Sequence, residues 1–347
     1  MITFSASQAV SPAIERTKNY LFRPFKWGTY LKLSLVACLT EGFSSNFNFN
    51  SGHHSSSGTG VGDFTGFHFS NEIIALIVVG VLVCIAVGIF ISYLITRLRF
   101  AFFHCLIHQT KEILPGWGLY RAQAMRFFML SLIVGFISLV VLVVALIPFV
   151  FGFLSVYRAY QQGGQIEWVY SIGLILMLIV VIFLLALICG AVSLTMCDFM
   201  LPHIAIENAS VRAAWESAYT HIKAEKGSFL FYAFLRVVLP AVAMLALIIV
   251  LAIPMFIVFG ILGISLAGFY AALTYATGMT RIFLIALEAI VGLLTLCLGL
   301  LVAISVGGPI ATWKRNYALL FYGGRYQALG NILSPPPPPI SNTPEVA

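Results

Sequence analysis

The chain has 347 residues, of which 61% are hydrophobic and only 9% are charged, and its mean hydropathy is +1.01. A soluble globular domain has about 25% charged residues, so this composition excludes an ordinary soluble protein. Several apolar runs exceed the roughly 20 residues that a helix needs to cross about 30 Å of hydrocarbon. Long unbroken runs also differ from the short alternating segments of a membrane β-barrel. The sequence therefore predicts an all-α integral membrane protein.

The net charge of +7 is carried by basic residues that gather at the ends of apolar runs. In a membrane protein this pattern sets the orientation, and it does not indicate binding to nucleic acid. The six cysteines lie in or beside apolar runs and form no CxxC pair. They are typical of small apolar side chains, and they predict neither a disulfide framework nor a zinc knuckle.

In chain order, residues 10–26 are basic and amphipathic and predict a helix at the membrane interface. Residues 44–71 are rich in Gly, Ser and Asn and predict a flexible external loop. Residues 331–347 contain five consecutive prolines, which favour polyproline II, and they predict a disordered tail. A single transmembrane domain, residues 1–330, contains six predicted spans, at 27–43, 72–96, 127–152, 168–197, 229–258 and 281–306.

The positions of the basic residues predict the orientation of these spans. Of the 19 Lys and Arg residues, only Arg158 and Arg281 lie on the side opposite to the others. The side that holds the others is then cytoplasmic by the positive-inside rule. It also holds two amphipathic stretches, residues 97–126 and 203–226. An even number of spans places both termini in the cytoplasm, and we expect a multi-pass protein of the cell (inner, cytoplasmic) membrane.

Two pairs of prolines at almost the same spacing indicate an internal repeat. Pro148 and Pro254 are 106 residues apart, and Pro202 and Pro309 are 107 apart. An earlier copy is marked by FAFFHCLIH, at 100–108, which aligns with FMLPHIAIE later in the chain. The repeated unit is two spans followed by an amphipathic stretch. The sequence therefore predicts a six-helix polytopic bundle of three related two-span units with cytoplasmic amphipathic helices.

Three segments carry a resemblance to a known family: RLRFAFFHCLI at 97–107, CDFMLPHIAIENASVRAAW at 197–215 and GPIATWKRNYALLF at 308–321. Over about residues 14–330 the chain resembles a family of uncharacterised prokaryotic multi-pass membrane proteins. That family is distantly similar to the membrane domain attached to some glycerophosphodiester phosphodiesterases. His104 stands where the resemblance would place an acidic residue. The resemblance implies a multi-pass membrane fold and no activity, since nothing like the soluble phosphodiesterase domain accompanies it.

A metal site is one hypothesis for the polar residues of the repeated segment. His104, His108 and Glu112 follow one another at four-residue spacing, so a helix places them on one face. In the repeat alignment His104 corresponds to His203 and His108 to Glu207. Together these residues would supply nitrogen and oxygen ligands for zinc or iron. The simpler interpretation is a set of polar side chains at the water–lipid interface, and no cofactor is assigned.

Charged residues inside the predicted spans are the second indication of a functional site. Glu288 lies seven residues into the sixth span, where a charged group costs at least about 2.5 kcal/mol. It is a candidate for lining a proton or substrate path, and the alternative is a buried structural carboxyl. Asp198 ends the fourth span and Arg236 lies early in the fifth, so these two are candidates for an ion pair near the cytoplasmic boundary.

The sequence contains no GxSxG, Walker, HExxH or Rossmann motif, and we assign no catalytic residue. The leading hypothesis is a non-enzymatic membrane scaffold, accessory or lipid-interacting protein. Its basic cytoplasmic belt would lie against anionic headgroups, each Lys or Arg contributing about 1 kcal/mol. The alternatives are a small-solute or lipid transporter that uses Glu288 and a metal-dependent membrane enzyme. The sequence does not determine whether the protein has a protein partner or forms a homo-oligomer.

Overall fold

The structure, a computed structural model, describes residues 5–45, 71–162, 168–275 and 277–334. These parts of the chain contain helices and no strand. The helices are α1 (Val10–Phe22), α2 (Trp27–Ser45), α3 (Asn71–His108), α4 (Leu114–Leu119), α5 (Arg121–Gln161), α6 (Trp168–Leu194), α7 (Leu201–Ile206), α8 (Val211–Ala224), α9 (Lys226–Tyr275), α10 (Met279–Gly323) and α11 (Gln327–Leu333). A π-helical segment, Thr195–Met200, joins α6 to α7.

Five segments among the described residues are long and apolar enough to cross a membrane. They are Ala75–His108, Arg121–Gln161, Trp168–Ile206, Lys226–Ile253 and Met279–Gly323. Almost none of their most apolar stretches is buried within the protein. Apolar surface of this extent is stable in hydrocarbon and unfavourable in water, which indicates a membrane-embedded protein. These five segments coincide with the second to sixth predicted spans.

The predicted first span, 27–43, is helical as part of α2 but is not among the five candidates. Lys32 and Glu41 interrupt its apolar sequence and lower its mean hydropathy. The described residues therefore contain five candidate spans, where the sequence predicted six.

Several helices extend beyond their predicted limits. Helix α3 continues to His108, and α5 begins at Arg121, so most of the amphipathic stretch 97–126 belongs to these two helices. Helix α9 continues through the predicted connector as far as Tyr275. Helix α11 includes residues 331–333 of the predicted tail. The rest of the tail from residue 335, and residues 46–70 of the predicted external loop, lie outside the described residues.

The chain divides into two compact units, and this division does not test the predicted single transmembrane domain. Unit 1 is Met1–Glu41 with His221–Ala347, and unit 2 is Gly42–Thr220. In unit 1, helices α1, α9 and α11 pack on α10. In unit 2, helix α3 packs on α4 and α5, and α5 packs on α6 and α7. This division does not test the three related two-span units, which stay a prediction.

Unit 1 is held together by close helix contacts and stacked rings. A Cβ added at Gly308 of α10 would lie 2.6 Å from the Ser34 Cα, so only glycine fits at this contact. On α1, the Thr17 hydroxyl accepts a hydrogen bond of 2.9 Å from the Asn316 side-chain amide. The Tyr232 and Tyr317 rings stack with centroids 5.0 Å apart. These contacts fix α1, α2 and α9 on the C-terminal half of α10.

The core of unit 2 is aromatic. Phe100, Phe103, Phe127 and Phe199 are fully buried or nearly so, and the Phe100 and Phe127 rings meet edge to face at 5.7 Å. Edge-to-face aromatic pairs contribute about 0.5–1.5 kcal/mol beyond the area they bury. This packed aromatic core holds the polar side chains of α3 and of the π-helical segment in fixed positions.

Candidate functional site

Unit 1 contains a buried ionic cluster formed by Glu41, Arg236 and Arg315, which we call the Glu41 cluster. Its three side chains are 2%, 8% and 1% exposed. Glu41 Oε2 lies 3.3 Å from Arg236 Nη2, and Glu41 Oε1 lies 3.9 Å from Arg315 Nη1. Arg236 Nη1 also donates to the Tyr232 hydroxyl at 2.9 Å. One carboxylate of α2 thus lies between guanidinium groups of α9 and α10.

Burial makes these contacts important for stability. An ionised group loses several kcal/mol of hydration on burial, and this loss is offset only where opposite charges and hydrogen bonds surround it. Arg236 also reaches the backbone carbonyl of Lys314 at 3.4 Å, which adds an acceptor on α10. The Glu41 cluster therefore holds three helices of unit 1 together.

The sequence indicated one member of the Glu41 cluster. It singled out Arg236 as an intramembrane charge and named Asp198 as a candidate partner. In the structure Arg236 pairs with Glu41. The pairing of Asp198 with Arg236 stays a prediction. Glu41 lies inside the predicted first span, so the criterion that selected Glu288 would also have selected it. Arg315 had been counted only as a member of the basic belt.

Asp198 lies in the π-helical segment of unit 2, where its side chain is buried together with other polar groups. Cys197 precedes it, and the Cys197 Sγ accepts a hydrogen bond of 3.1 Å from Arg99 Nη1 of α3. Asp198 and His203 are 2% and 3% exposed. The extra residue per turn of a π-helix re-aims the following side chains, and such segments are frequent at functional sites.

The histidines of the repeated segment make local contacts. The rings of His104 and His108 have centroids 4.5 Å apart, and His104 Nδ1 lies 3.4 Å from the Tyr120 hydroxyl. Burial raises the pKa of Tyr120, so its hydroxyl keeps its proton at neutral pH. Glu112 is exposed, and its backbone carbonyl accepts a hydrogen bond from Cys105 Sγ at 3.1 Å.

The corresponding polar residues of the later copy, His203 and Glu207, also make a local contact. His203 Nδ1 lies 3.5 Å from Glu207 Oε2, one helical turn away. Within the parts of the chain that the structure describes, no three His, Cys, Asp or Glu residues form a group that could hold a metal ion. The metal hypothesis therefore has no support from geometry and stays a hypothesis.

Glu288 lies on α10, half-buried, within a candidate span. Among the described residues it has no hydrogen-bond or ion-pair partner. An intramembrane carboxylate without a described partner is the feature on which the transport hypothesis depends.

Five apolar helices and polar groups buried within each compact unit define a class: helical proteins embedded in a membrane. The chain belongs to a family described as Family of unknown function (DUF7544), whose model matches residues 4–332. No curated protein and no solved structure matches the chain. The family assignment agrees with the resemblance to uncharacterised proteins. It gives no information on the distant similarity to the membrane domain of glycerophosphodiester phosphodiesterases.

Proposed function

We propose that this protein is a non-enzymatic membrane protein, of the scaffold or accessory kind, that binds anionic lipid headgroups. The observation that supports the proposal is an exposed aromatic and basic segment of unit 1, residues 22–27, which we call the anchor segment. Its Phe22, Phe25 and Trp27 side chains are exposed, Trp27 to 64%. Arg23 and Lys26 lie between these rings in the sequence and are also exposed.

The rings of the anchor segment form a cluster on the protein surface. The Phe22 and Phe25 rings stack at 6.2 Å, and the Phe25 and Trp27 rings meet edge to face at 5.2 Å. An exposed cluster of large rings is unfavourable in water, whereas aromatic side chains are stable at the level of lipid headgroups. The anchor segment therefore has the apolar part of an interfacial membrane contact.

The charges around the anchor segment favour an anionic surface. Residues 10–32 contain five basic side chains and one acidic side chain, Glu15. Each Lys or Arg near an anionic leaflet contributes about 1 kcal/mol to binding. The buried face of α1, which includes Ala13 and Tyr20, packs within unit 1 and leaves Lys18 exposed. Because α1 is packed rigidly on α10, its basic side chains would lie near the membrane surface already. Binding would then cost less conformational entropy than ordering a flexible segment would.

Hydrogen–deuterium exchange in lipid nanodiscs tests the proposal. We expect the amides of residues 22–28 to exchange more slowly when phosphatidylglycerol is added to phosphatidylcholine. The protection should fall with added salt, which screens charges over about 10 Å at 0.1 M. It should also be lost in an Arg23→Gln, Lys26→Gln double variant. Equal exchange in the two lipid compositions would contradict the proposal, and an Arg212→Gln variant serves as the control for charge removed elsewhere.

Transport is the second candidate, and it depends on the half-buried Glu288 within a candidate span. A proton or solute path needs a polar group at this depth, and a carboxylate that is retained in hydrocarbon favours such a role. A transporter should lose flux of its solute in a Glu288→Gln variant with unchanged thermal stability. The lipid-binding function should tolerate that change. We further propose that both termini are cytoplasmic, as the distribution of Lys and Arg predicts.

A further inference from the structure

An apolar groove lies at the beginning of α5 in unit 2. The groove is open to its surroundings and has a volume of about 420 Å³. Its lining surface is almost entirely apolar and is formed by Met125, Arg126, Met129, Leu130, Ile133 and Val211. Met125, Met129 and Ile133 follow one another at four-residue spacing, so they form one stripe along the helix. From Met125 to Ile133 the stripe is about 12 Å long.

Arg126 carries the one charge among the residues that line the groove. Arg126 is exposed, and its Nη1 donates a hydrogen bond of 3.3 Å to the side-chain oxygen of Asn208. Asn208 is neutral and has φ 51°, a left-handed conformation that asparagine tolerates better than most residues. Helix α5 contains no Asp or Glu. Arg126 therefore offers a positive charge, and the remaining donors of a guanidinium group, to an anion at the groove.

The groove lies on Arg121–Gln161, a candidate membrane span, so its stripe would face hydrocarbon. Methionine side chains are flexible and polarizable, so they adapt to lipid acyl chains of varied shape. Guanidinium groups bind phosphate through paired hydrogen bonds. We propose that this groove binds one anionic phospholipid. An acyl chain lies along Met125, Met129 and Ile133, and the headgroup phosphate lies at Arg126.

This inference deepens the proposed function and rests on its assumption of a lipid ligand, but it uses a separate surface. The anchor segment belongs to unit 1 and the groove to unit 2. Native mass spectrometry of the full chain in mild detergent, titrated with phosphatidylglycerol, tests the groove. We expect one lipid to be retained by the unchanged protein. In Arg126→Gln its affinity should fall roughly tenfold, the effect of losing one charge-assisted hydrogen bond.

Matched variants separate this site from general lipid contact. Arg158→Gln removes the exposed guanidinium at the other end of α5 and should leave retention unchanged. Met129→Trp should fill the groove and displace the lipid, whereas Ile147→Trp, at a similarly exposed position of α5, should not. All variants should keep the thermal unfolding midpoint of the unchanged protein. Equal losses in Arg126→Gln and Arg158→Gln would overturn the proposal.

The source of the phosphate is tested by competition. Glycerol 3-phosphate, which has the phosphate but no acyl chain, should not displace the retained lipid, and displacement would overturn a lipid site in favour of an anion site. Exchange of residues 22–28 reports on the anchor segment, and retention by Arg126→Gln reports on the groove. A failure of the groove and a failure of the proposed function are therefore distinguishable.

Discussion

At the scale of single residues, the Glu41 cluster is a group of three buried charged side chains in unit 1. Replacing Glu41 by Gln keeps the side-chain shape and removes the charge that Arg236 and Arg315 share. Removing one partner of a buried ion pair costs about 3–5 kcal/mol, because the opposite charge stays buried. We expect Glu41→Gln to lower the thermal unfolding midpoint substantially in detergent.

An exposed ion pair provides the control for this prediction. Arg212 and Glu216 on α8 lie 3.0 Å apart with side chains 90% and 64% exposed. Solvent screens such a pair, so Glu216→Gln should change the unfolding midpoint little. Equal effects of Glu41→Gln and Glu216→Gln would show that the Glu41 cluster does not stabilise unit 1.

Replacing Glu288 is expected to stabilise the protein, whereas replacing Glu41 is expected to destabilise it. It is half-buried in a candidate span and has no partner among the described residues. An acidic residue at the centre of a span costs about 2.5 kcal/mol or more on insertion scales. Glu288→Leu should therefore raise the unfolding midpoint, with a gain in stability of up to about 2.5 kcal/mol. A lower midpoint would mean that the carboxyl group makes a stabilising contact.

At the scale of helices, the contact between α2 and α10 depends on Gly308. A Cβ at this position would meet the backbone of Ser34, and backbone atoms cannot move aside as a flexible side chain can. Overpacking of this kind costs about 1–3 kcal/mol. We expect Gly308→Ala to lower the unfolding midpoint.

Gly299 on the same helix is the matched control. A Cβ added there has no atom of the described residues within 4 Å. Alanine is favoured over glycine within a helix by roughly 0.5–1 kcal/mol, so Gly299→Ala should be neutral or slightly stabilising. Equal destabilisation by both substitutions would show that the cause is not the contact with α2.

At the scale of the whole molecule, the number of membrane crossings is the open question of topology. If the five candidate segments each cross once, the start of α3 and the end of α10 lie on opposite sides. Thr17 of α1 accepts a hydrogen bond from Asn316 of α10, beyond the predicted span 281–306. The carbonyl of Ala6, just before α1, accepts one from the Tyr317 hydroxyl. The chain would then cross once more between α1 and α3, and α2 is the described helix in that interval. We therefore predict that α2 is a sixth crossing.

Cysteine accessibility in sealed membrane vesicles tests this topology. Ser7→Cys and Ser334→Cys should react with a membrane-impermeant thiol reagent from the same side. Ser57→Cys, which lies outside the described residues, should react from the other side. The unchanged protein, with its six native cysteines, gives the background labelling. Labelling of Ser7→Cys and Ser334→Cys from opposite sides would mean an odd number of crossings.

The sequence predicted the features that depend on local pattern. The apolar run at 127–152 lies within α5, and the run at 168–197 covers α6 and the start of the π-helical segment. Both are helical because a run longer than 20 residues is stable in hydrocarbon only with its backbone hydrogen bonds satisfied internally. Helix ends were less accurate, as at Tyr275 of α9, because the apolar and aromatic connector contains no proline to end the helix earlier.

By itself, the amino-acid sequence determined the membrane class, the positions of five long apolar helices and the basic character of residues 10–26, and it predicted a sixth span at 27–43. Each of these follows from neighbouring residues, since the length and polarity of a run decide where it is stable. Only the tertiary structure decided that Glu41 pairs with Arg236, 195 positions away, and that Gly308 meets Ser34. A sequence pattern shows which residues avoid lipid or water, but not which helix faces which. Helix packing selects the partner that leaves the fewest charges unpaired.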